Sequence, residues 1–337
     1  MATVLLTGAS GFLGIHTAQH LLDAGHRVRA FVRDGRRLGN HLVPLGVDPA
    51  DGHLEVVIGS MTDAAAVREA VAGCDSVVHA AATFSFKRRD REAMTRENGA
   101  GTRTVLEAGV AAGCSTVVQV SSTVALNRPG GATLDHTSPV GTPVGPYSAS
   151  KIASEVVARQ LQDAGAPVTI AYPGAVIGPH DPYLGESNAL LATVLAGRVP
   201  AWPRGRIHLV DVRETAAVLT AAVTAEPGGR YPVPGESAPG PHGVLADVTG
   251  RRMPAVVLPG RLVAAMAAPG YATGWSFLPG AVEGIRGVAC ANPVDAKATA
   301  AALGVAARPL SESVADTVRW LVDAGHVPRK AAGRLAG

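Results

Sequence analysis

Val4-Leu5-Leu6-Thr7-Gly8-Ala9-Ser10-Gly11-Phe12-Leu13-Gly14 lies at the head of this 337-residue chain, and its reading decides the fold. The apolar run Val4–Leu6 predicts a buried strand, and Ile15–Ala24 predicts the helix that follows. Glycines at 8, 11 and 14 fit three needs: a tight strand-to-helix turn, close approach of backbone to a pyrophosphate, and tight helix–sheet packing. The free N–H groups of the helix start then face phosphate, where the helix dipole favours negative charge. The spacing is G-x-x-G-x-x-G rather than G-x-G-x-x-G, and a glycine triplet alone is a weak signal. Its strand–turn–helix setting, with a second strand at Arg27–Val32 beyond Gly25, favours a nucleotide cradle over a plain turn.

Outward from this stretch the chain alternates strand and helix through about residue 172. Further strands are predicted at Leu54–Ile58, Ser76–His79, Thr116–Val120 and Val168–Ala171. Helices are predicted at Ala64–Val71, Arg96–Ala112 and Ser148–Ala164. Near-continuous apolar strands separated by helices mean a parallel sheet covered on both faces. Right-handed crossovers make it doubly wound, so the expected class is α/β, a Rossmann-type sheet with a smaller C-terminal substrate lobe. After Pro173 the texture turns dense in Pro and Gly. A strand at Ile207–Val212, a helix at Arg213–Ala225, a strand at Arg230–Val233 and an amphipathic helix at Leu310–Ala324 are predicted there. One or two of these strands are expected to rejoin the main sheet. Residues 1–172 with about 206–235 would form the dinucleotide domain, and 173–205 with about 236–337 the lobe over the cleft.

Composition narrows the function classes. Apolar residues make up 47% and charged residues 17%, ordinary values for a globular enzyme, and the net charge of +3 implies no polyanion partner. Cys74, Cys114 and Cys290 are odd in number and far apart, which argues against a disulfide framework or a thiolate zinc site and fits a reducing cytoplasm. The first strand begins too early for a signal peptide, and Gly, Pro or charge interrupts every apolar run before it reaches a membrane span. No internal repeat is evident.

Tyr147-Ser148-Ala149-Ser150-Lys151 carries the chemistry. Residues four apart share a helix face, and an ammonium near a phenol favours the phenolate. Tyr-x-x-x-Lys is a common accident on helices, so it needs company. Ser121-Ser122-Thr123 supplies it at the end of a predicted strand, where a hydroxyl could donate to a substrate carbonyl. With these motifs the sequence resembles the extended short-chain dehydrogenase/reductase family, which includes nucleotide-sugar epimerases and dihydroflavonol-reductase-like enzymes. The resemblance runs, in order, through residues 7–14, His79-Ala80-Ala81-Ala82, Asn98–Thr102, Val120-Ser121-Ser122, Pro146–Lys151 and Tyr172–Pro179, and covers most of the first 235 residues.

The resemblance implies that Tyr147 is the general acid/base and that Lys151 holds the nicotinamide ribose while depressing the tyrosine pKa. It also implies that Ser122 polarises the carbonyl, with Ser121 the nearest competitor. Asn98 would back the site structurally. Gly8, Ser10, Gly11, Phe12, Leu13 and Gly14 would cradle the pyrophosphate. Met61 would lie toward the adenine, Ala80, Ala81 and Ala82 at the ribose, and Pro173 and Val176 at the nicotinamide. Arg33, with Arg36 and Arg37 close behind, stands where an NAD site usually has an acid, and a guanidinium suits a 2′-phosphate. NADP is therefore expected, with Asp34 keeping NAD open.

Three departures bear on this reading. Gly59-Ser60-Met61 replaces Gly-Asp-Leu, Tyr172 stands where an Arg commonly precedes the Pro-Gly turn, and Ala125-Leu126-Asn127 replaces Val-Tyr-Gly. The last two point to the substrate pocket and away from nucleotide sugars. His16 and His20 are expected on a partly exposed helix face, with no metal between them. Lys87–Glu92 is expected to be a solvated charge run, and His208 and Asp211 to make structural hydrogen bonds. Trp202, Tyr271, Trp275 and Phe277 are expected to pack in the lobe, some of them lining the pocket.

The leading expectation is hydride transfer between NADP(H) and a carbonyl or secondary alcohol of a fairly apolar small molecule. Alternatives are an epimerase/dehydratase with tightly bound NAD and a cofactor-sensing protein without catalysis. No nucleic-acid, metal or membrane partner is expected, and a homodimer stays open.

Overall fold

A computed structural model describes residues 1–83, 91–273 and 281–336. Seven parallel strands form the main sheet: β1 (Thr3–Thr7), β2 (Arg27–Val32), β3 (Leu54–Ile58), β4 (Ser76–His79), β5 (Thr116–Val120), β6 (Val168–Tyr172) and β10 (Arg230–Pro232). Their spatial order is β10-β6-β5-β4-β1-β2-β3. The order reverses between β1 and β4, where Thr7 lies beside His79, and ligands bind at the carboxyl ends flanking such a switch point. The glycine turn lies directly beyond β1.

Strand period explains the two layers of core. Val4, Leu6, Val28, Ala30 and Val118 face one side, under helices α1 (Phe12–Asp23), α2 (Gly35–Leu42) and α7 (Val212–Thr224). Leu5, Val77, Val117, Ile170 and Tyr172 face the other, under α3 (Ala64–Val71), α4 (Arg91–Ala111) and α5 (Pro146–Asp163). The edge strand β3 departs from the expected two-sided cover: it pairs with β2 on one side only, and Ile58 is 60% exposed.

The rest of the chain builds the lobe. Strands β7 (Ala175–Ile177), β9 (Ile207–Asp211) and β11 (Glu236–Ala238) make a separate sheet, with β9 central. Strand β10 therefore rejoins the main sheet and β9 does not. Strand β8 (Ala201–Pro203) pairs with β12 (Val256–Leu258). Helices α6 (Glu186–Leu195), α8 (Pro241–Thr249) and α12 (Leu310–Asp323) bury a third cluster with Ile177 and Leu209. Helices α9 (Gly260–Thr273) and α10 (Ala281–Ala289) follow, with Tyr271 within α9, while α11 (Lys297–Leu303) packs back on β10 and α7 of the main layer. Trp275, Phe277 and the Lys87–Asp90 part of the charge run lie outside the described residues. Among the described residues, no helix is long and apolar enough to cross a membrane.

Candidate active site

Gly8 turns the chain at φ +72°, and a Cβ there would meet the backbone of Ala80 and Ala81 at 2.7–2.8 Å. A Cβ on Gly14 would collide with the Gly8 carbonyl oxygen, so Gly14 sits inside the first turn of α1 rather than before it. The helix consequently starts at Phe12, three residues earlier than expected. Gly11 is its N-cap. No side chain caps that start and no acid lies in its first turn, so its N–H groups suit a phosphate. That open start fits the pyrophosphate of a dinucleotide.

Around it, the Ser10 carbonyl contacts the His41 ring at 3.0 Å, Phe12 meets His16 edge-on, and Leu13 packs against the first core layer. Ala80 and Ala81 donate to Thr7, and Ala82 is exposed. His16 corrects its expectation: it is 2% exposed and bonds the Pro179 carbonyl, and burial lowers its pKa to about 4. Among the described residues, no three His, Cys, Asp or Glu are grouped to hold a metal.

At the end of β2, Asp34 caps α2 by accepting from the Arg36 and Arg37 amides, and it pairs with the Arg37 guanidinium at 3.2 Å. Arg33 is exposed and has no ion pair among the described residues. Met61 is 9% exposed and packs against Gly101 of α4, as a core residue.

Ser122 follows β5, and Tyr147 occupies the first turn of α5. The phenol of Tyr147 hydrogen-bonds the Ser122 side chain, whose hydroxyl donates to the Pro173 carbonyl at 3.3 Å. Ser121 points elsewhere, fully buried with its hydroxyl unpartnered, which separates the two serines. Burial, then the carboxylates of Glu186 and Glu283, raises the Tyr147 pKa, with Ser122 opposing. A phenol depressed by Lys151 is not what this structure shows. Lys151 lies toward His79 and Glu155 instead; burial lowers its pKa to about 8, and Glu155 works against that.

A buried polar chain backs the pair. The Thr7 hydroxyl receives the Ala81 amide and bonds His79 Nδ1 at 2.7 Å. His79 Nε2 reaches Thr102, and the Thr102 hydroxyl donates to Ser154 of α5. Desolvation, then Lys151, holds His79 down to about 3, so its ring is neutral. Asn98 of α4 donates to Ser150 at 2.7 Å and exchanges two bonds with the Thr83 backbone, the structural role expected of it.

Tyr172 corrects its expectation. It is fully buried on the α5 side of β6, away from the substrate pocket, and donates to Glu155 at 2.7 Å. Arg159, one turn beyond Glu155, contacts both at 2.6 and 3.3 Å. Its guanidinium thus stands against the carboxylate that Tyr172 also serves.

A cavity of about 320 Å³ opens between sheet and lobe, over Ser122 and Tyr147. Its walls are largely apolar, with Leu134, Leu190, Trp202 and Val288 among them, and Asn127, Glu186 and Glu283 add polar points. Trp202 both packs in the lobe and lines the cavity, its indole donating to the Pro239 carbonyl. His208 bonds Ser237 and the Val233 carbonyl, and Asp211 pairs with Arg213 at 2.7 Å, both structural as expected. Sequence reasoning missed Glu186 and Glu283. Glu186 is an exposed residue by surface area, yet its carboxyl faces the cavity, where burial, then Glu283, pushes it up to about 7.

Residues 4–233 match the profile of the NAD-dependent epimerase/dehydratase family. The chain belongs to that family. This epimerase/dehydratase-family chain is 33% identical over 215 residues to a Synechocystis protein named for dihydroflavonol 4-reductase, covering 63% of the chain and 60% of that protein. It is 32% identical over 274 residues to sterol demethylase protein B of Methylococcus capsulatus, covering 79% and 80%. Its fold matches the crystal structure of dTDP-glucose 4,6-dehydratase from Streptomyces venezuelae with NAD bound, at TM-score 0.74 and 22% identity, covering 97% and 99%.

Replacing Tyr172 with Phe strips one donor from the buried Glu155 carboxylate. Denaturant unfolding is expected to show a loss of about 1–3 kcal/mol, and an unchanged midpoint would contradict the network described.

Proposed function

We propose that this chain is a reductase/dehydrogenase that moves hydride between NADP(H) and a carbonyl or secondary alcohol of a fairly apolar small molecule. The observation that carries the reading is the Tyr147–Ser122 hydrogen bond at the wall of an apolar cavity. The open start of α1, with Gly8, Ser10, Gly11, Phe12, Leu13 and Gly14, would hold the pyrophosphate. Ala80–Ala82, Lys151, Pro173 and Val176 would follow it toward the cavity.

A bound dinucleotide supplies or accepts the hydride. Ser122 and Tyr147 hold the substrate oxygen between their hydroxyls, and Tyr147 gives its proton to that oxygen in reduction or receives one in oxidation. A phenol raised by burial is protonated at neutral pH, the form that reduction requires. Lys151 remains largely charged below about pH 8 and would hold the ribose of the dinucleotide.

The substrate class follows from the walls. Glu186 and Glu283, with Arg206 as a counter-charge, stand among walls that are otherwise largely apolar, so an uncharged apolar compound fits better than a nucleotide sugar. The names of the Synechocystis and Methylococcus relatives agree with such a substrate. For the coenzyme, Asp34 is engaged by α2 while Arg33 is free to meet a 2′-phosphate. Cys74, Cys114 and Cys290 are buried free thiols, in agreement with a cytoplasmic location.

With NADPH and a panel of neutral ketones and aldehydes, Tyr147→Phe is expected to cut kcat by about a hundredfold or more and to leave NADPH binding intact. A variant that keeps most of its turnover would refute the role. Arg33→Ala is expected to raise KM for NADPH by about tenfold with little effect on NADH; equal losses with both coenzymes would remove Arg33 from the 2′-phosphate site.

A further inference from the structure

Helix α5 carries both Tyr147 and Lys151, and its start is held from a distant part of the chain. Glu283, on α10, accepts the Tyr147 amide at 3.0 Å through Oε2 and the Ser148 amide at 2.6 Å through Oε1. Both carboxylate oxygens are thus bound to the first turn of the helix, where an anion is favoured. The N-cap residue, Gly145, has extended backbone at φ −176°, open to any residue, yet a Cβ there would come within 2.5 Å of the Glu283 carboxyl group. What that position cannot spare is the seat of the carboxylate.

Helix α10 is itself anchored on both sides. Arg286 donates to the Val144 carbonyl at 3.2 Å, and the Val288 carbonyl accepts from the Arg206 amide at 3.1 Å. Glu283 and Val288 both line the cavity, as do Tyr147 and Ser148. The same helix therefore walls the cavity and grips the backbone of the acid/base.

We propose that Glu283 is a positioning residue for Tyr147: its carboxylate, delivered by the C-terminal lobe, fixes the first turn of α5 and with it the phenol against Ser122. The proposal rests on the acid/base reading of Tyr147. It adds that the lobe aligns the catalytic machinery as well as enclosing substrate. The charged groups facing Tyr147 are Glu186 from α6 and Glu283 from α10, with Lys151 one turn along α5 and Ser122 as the neutral partner.

The test compares Glu283→Ala, Gly145→Ala, the double variant and Glu283→Gln with the unaltered full-length protein. Amide hydrogen exchange at Tyr147 and Ser148 is read by NMR without substrate, and kcat and KM with NADPH and a neutral ketone. Each single Ala variant is expected to speed exchange at the two amides and to lower kcat by about tenfold or more with KM little changed. The double variant is expected to lose no more than either alone, because both act through one contact. In Glu283→Gln the alkaline limb of kcat against pH moves to lower pH, since a carboxylate that holds the phenol protonated has gone.

Faster exchange with kcat and its pH profile unmoved would make Glu283 a helix cap and nothing more. Additive losses in the double variant, or unchanged exchange, would equally overturn the proposal. Failure of the acid/base reading itself is seen separately, as turnover that survives Tyr147→Phe.

Discussion

The first turn of an α-helix presents backbone N–H groups with no partner inside the helix, and the acceptors they find organise this molecule. Asp34, Asp63 and Asp211 supply side-chain acceptors to α2, α3 and α7. Glu283 supplies one to α5 across 135 residues of chain. Helix α1 has neither a side-chain cap nor an acid in its first turn. Its start lies at the sheet's switch point, where neighbouring backbones touch so closely that Gly8 and Gly14 admit no Cβ. On the proposed reading, the start of α1 would receive an anionic ligand, while the start of α5 is closed by the protein's own carboxylate.

The main sheet joins these two helix ends. Strands buried on both faces bring Thr7, His79 and Ser122 to one edge of the core. The chain of Thr7, His79, Thr102 and Ser154 then joins β1 and β4 to α4 and α5 through neutral hydrogen bonds. Keeping His79 uncharged matters here, since a buried imidazolium beside Lys151 would be costly. The cavity takes its floor from this framework and its walls from the lobe.

Much of the framework was legible in the sequence. Strands β2, β3, β4 and β5 fall at the residues expected, because short, mostly apolar, β-branched runs bounded by turn residues leave little choice. Helix starts were less legible: α1 and α5 begin a few residues early, since Gly14 and Pro146 belong to first turns rather than to the loops before them. Helix α2 was not read, as only Leu38 and Leu42 in it are buried apolar residues. In the lobe, strands of three residues pair across long separations, so local pattern says little about them.

At the site, the glycine turn, Ser122, Tyr147 and Lys151 were legible as motifs. Tyr172 was misplaced, although the two-residue period of β6 puts it on the same face as Ile170 and so under α5. Glu155 and Arg159 carried a readable signal, an acid and a base one helical turn apart. Glu186 and Glu283 carried none, because their meaning depends on α5, α6 and α10 packing together from separate parts of the chain. On the proposed reading, the open start of α1 and the phenol of Tyr147 would serve the two ends of a single dinucleotide. Intermolecular NOEs between bound NADPH and ring-labelled tyrosine test this most directly, with Tyr147→Phe assigning the signal. Contact between the nicotinamide protons and the Tyr147 ring is expected; contact from the adenine protons alone, or from neither, would overturn that placement.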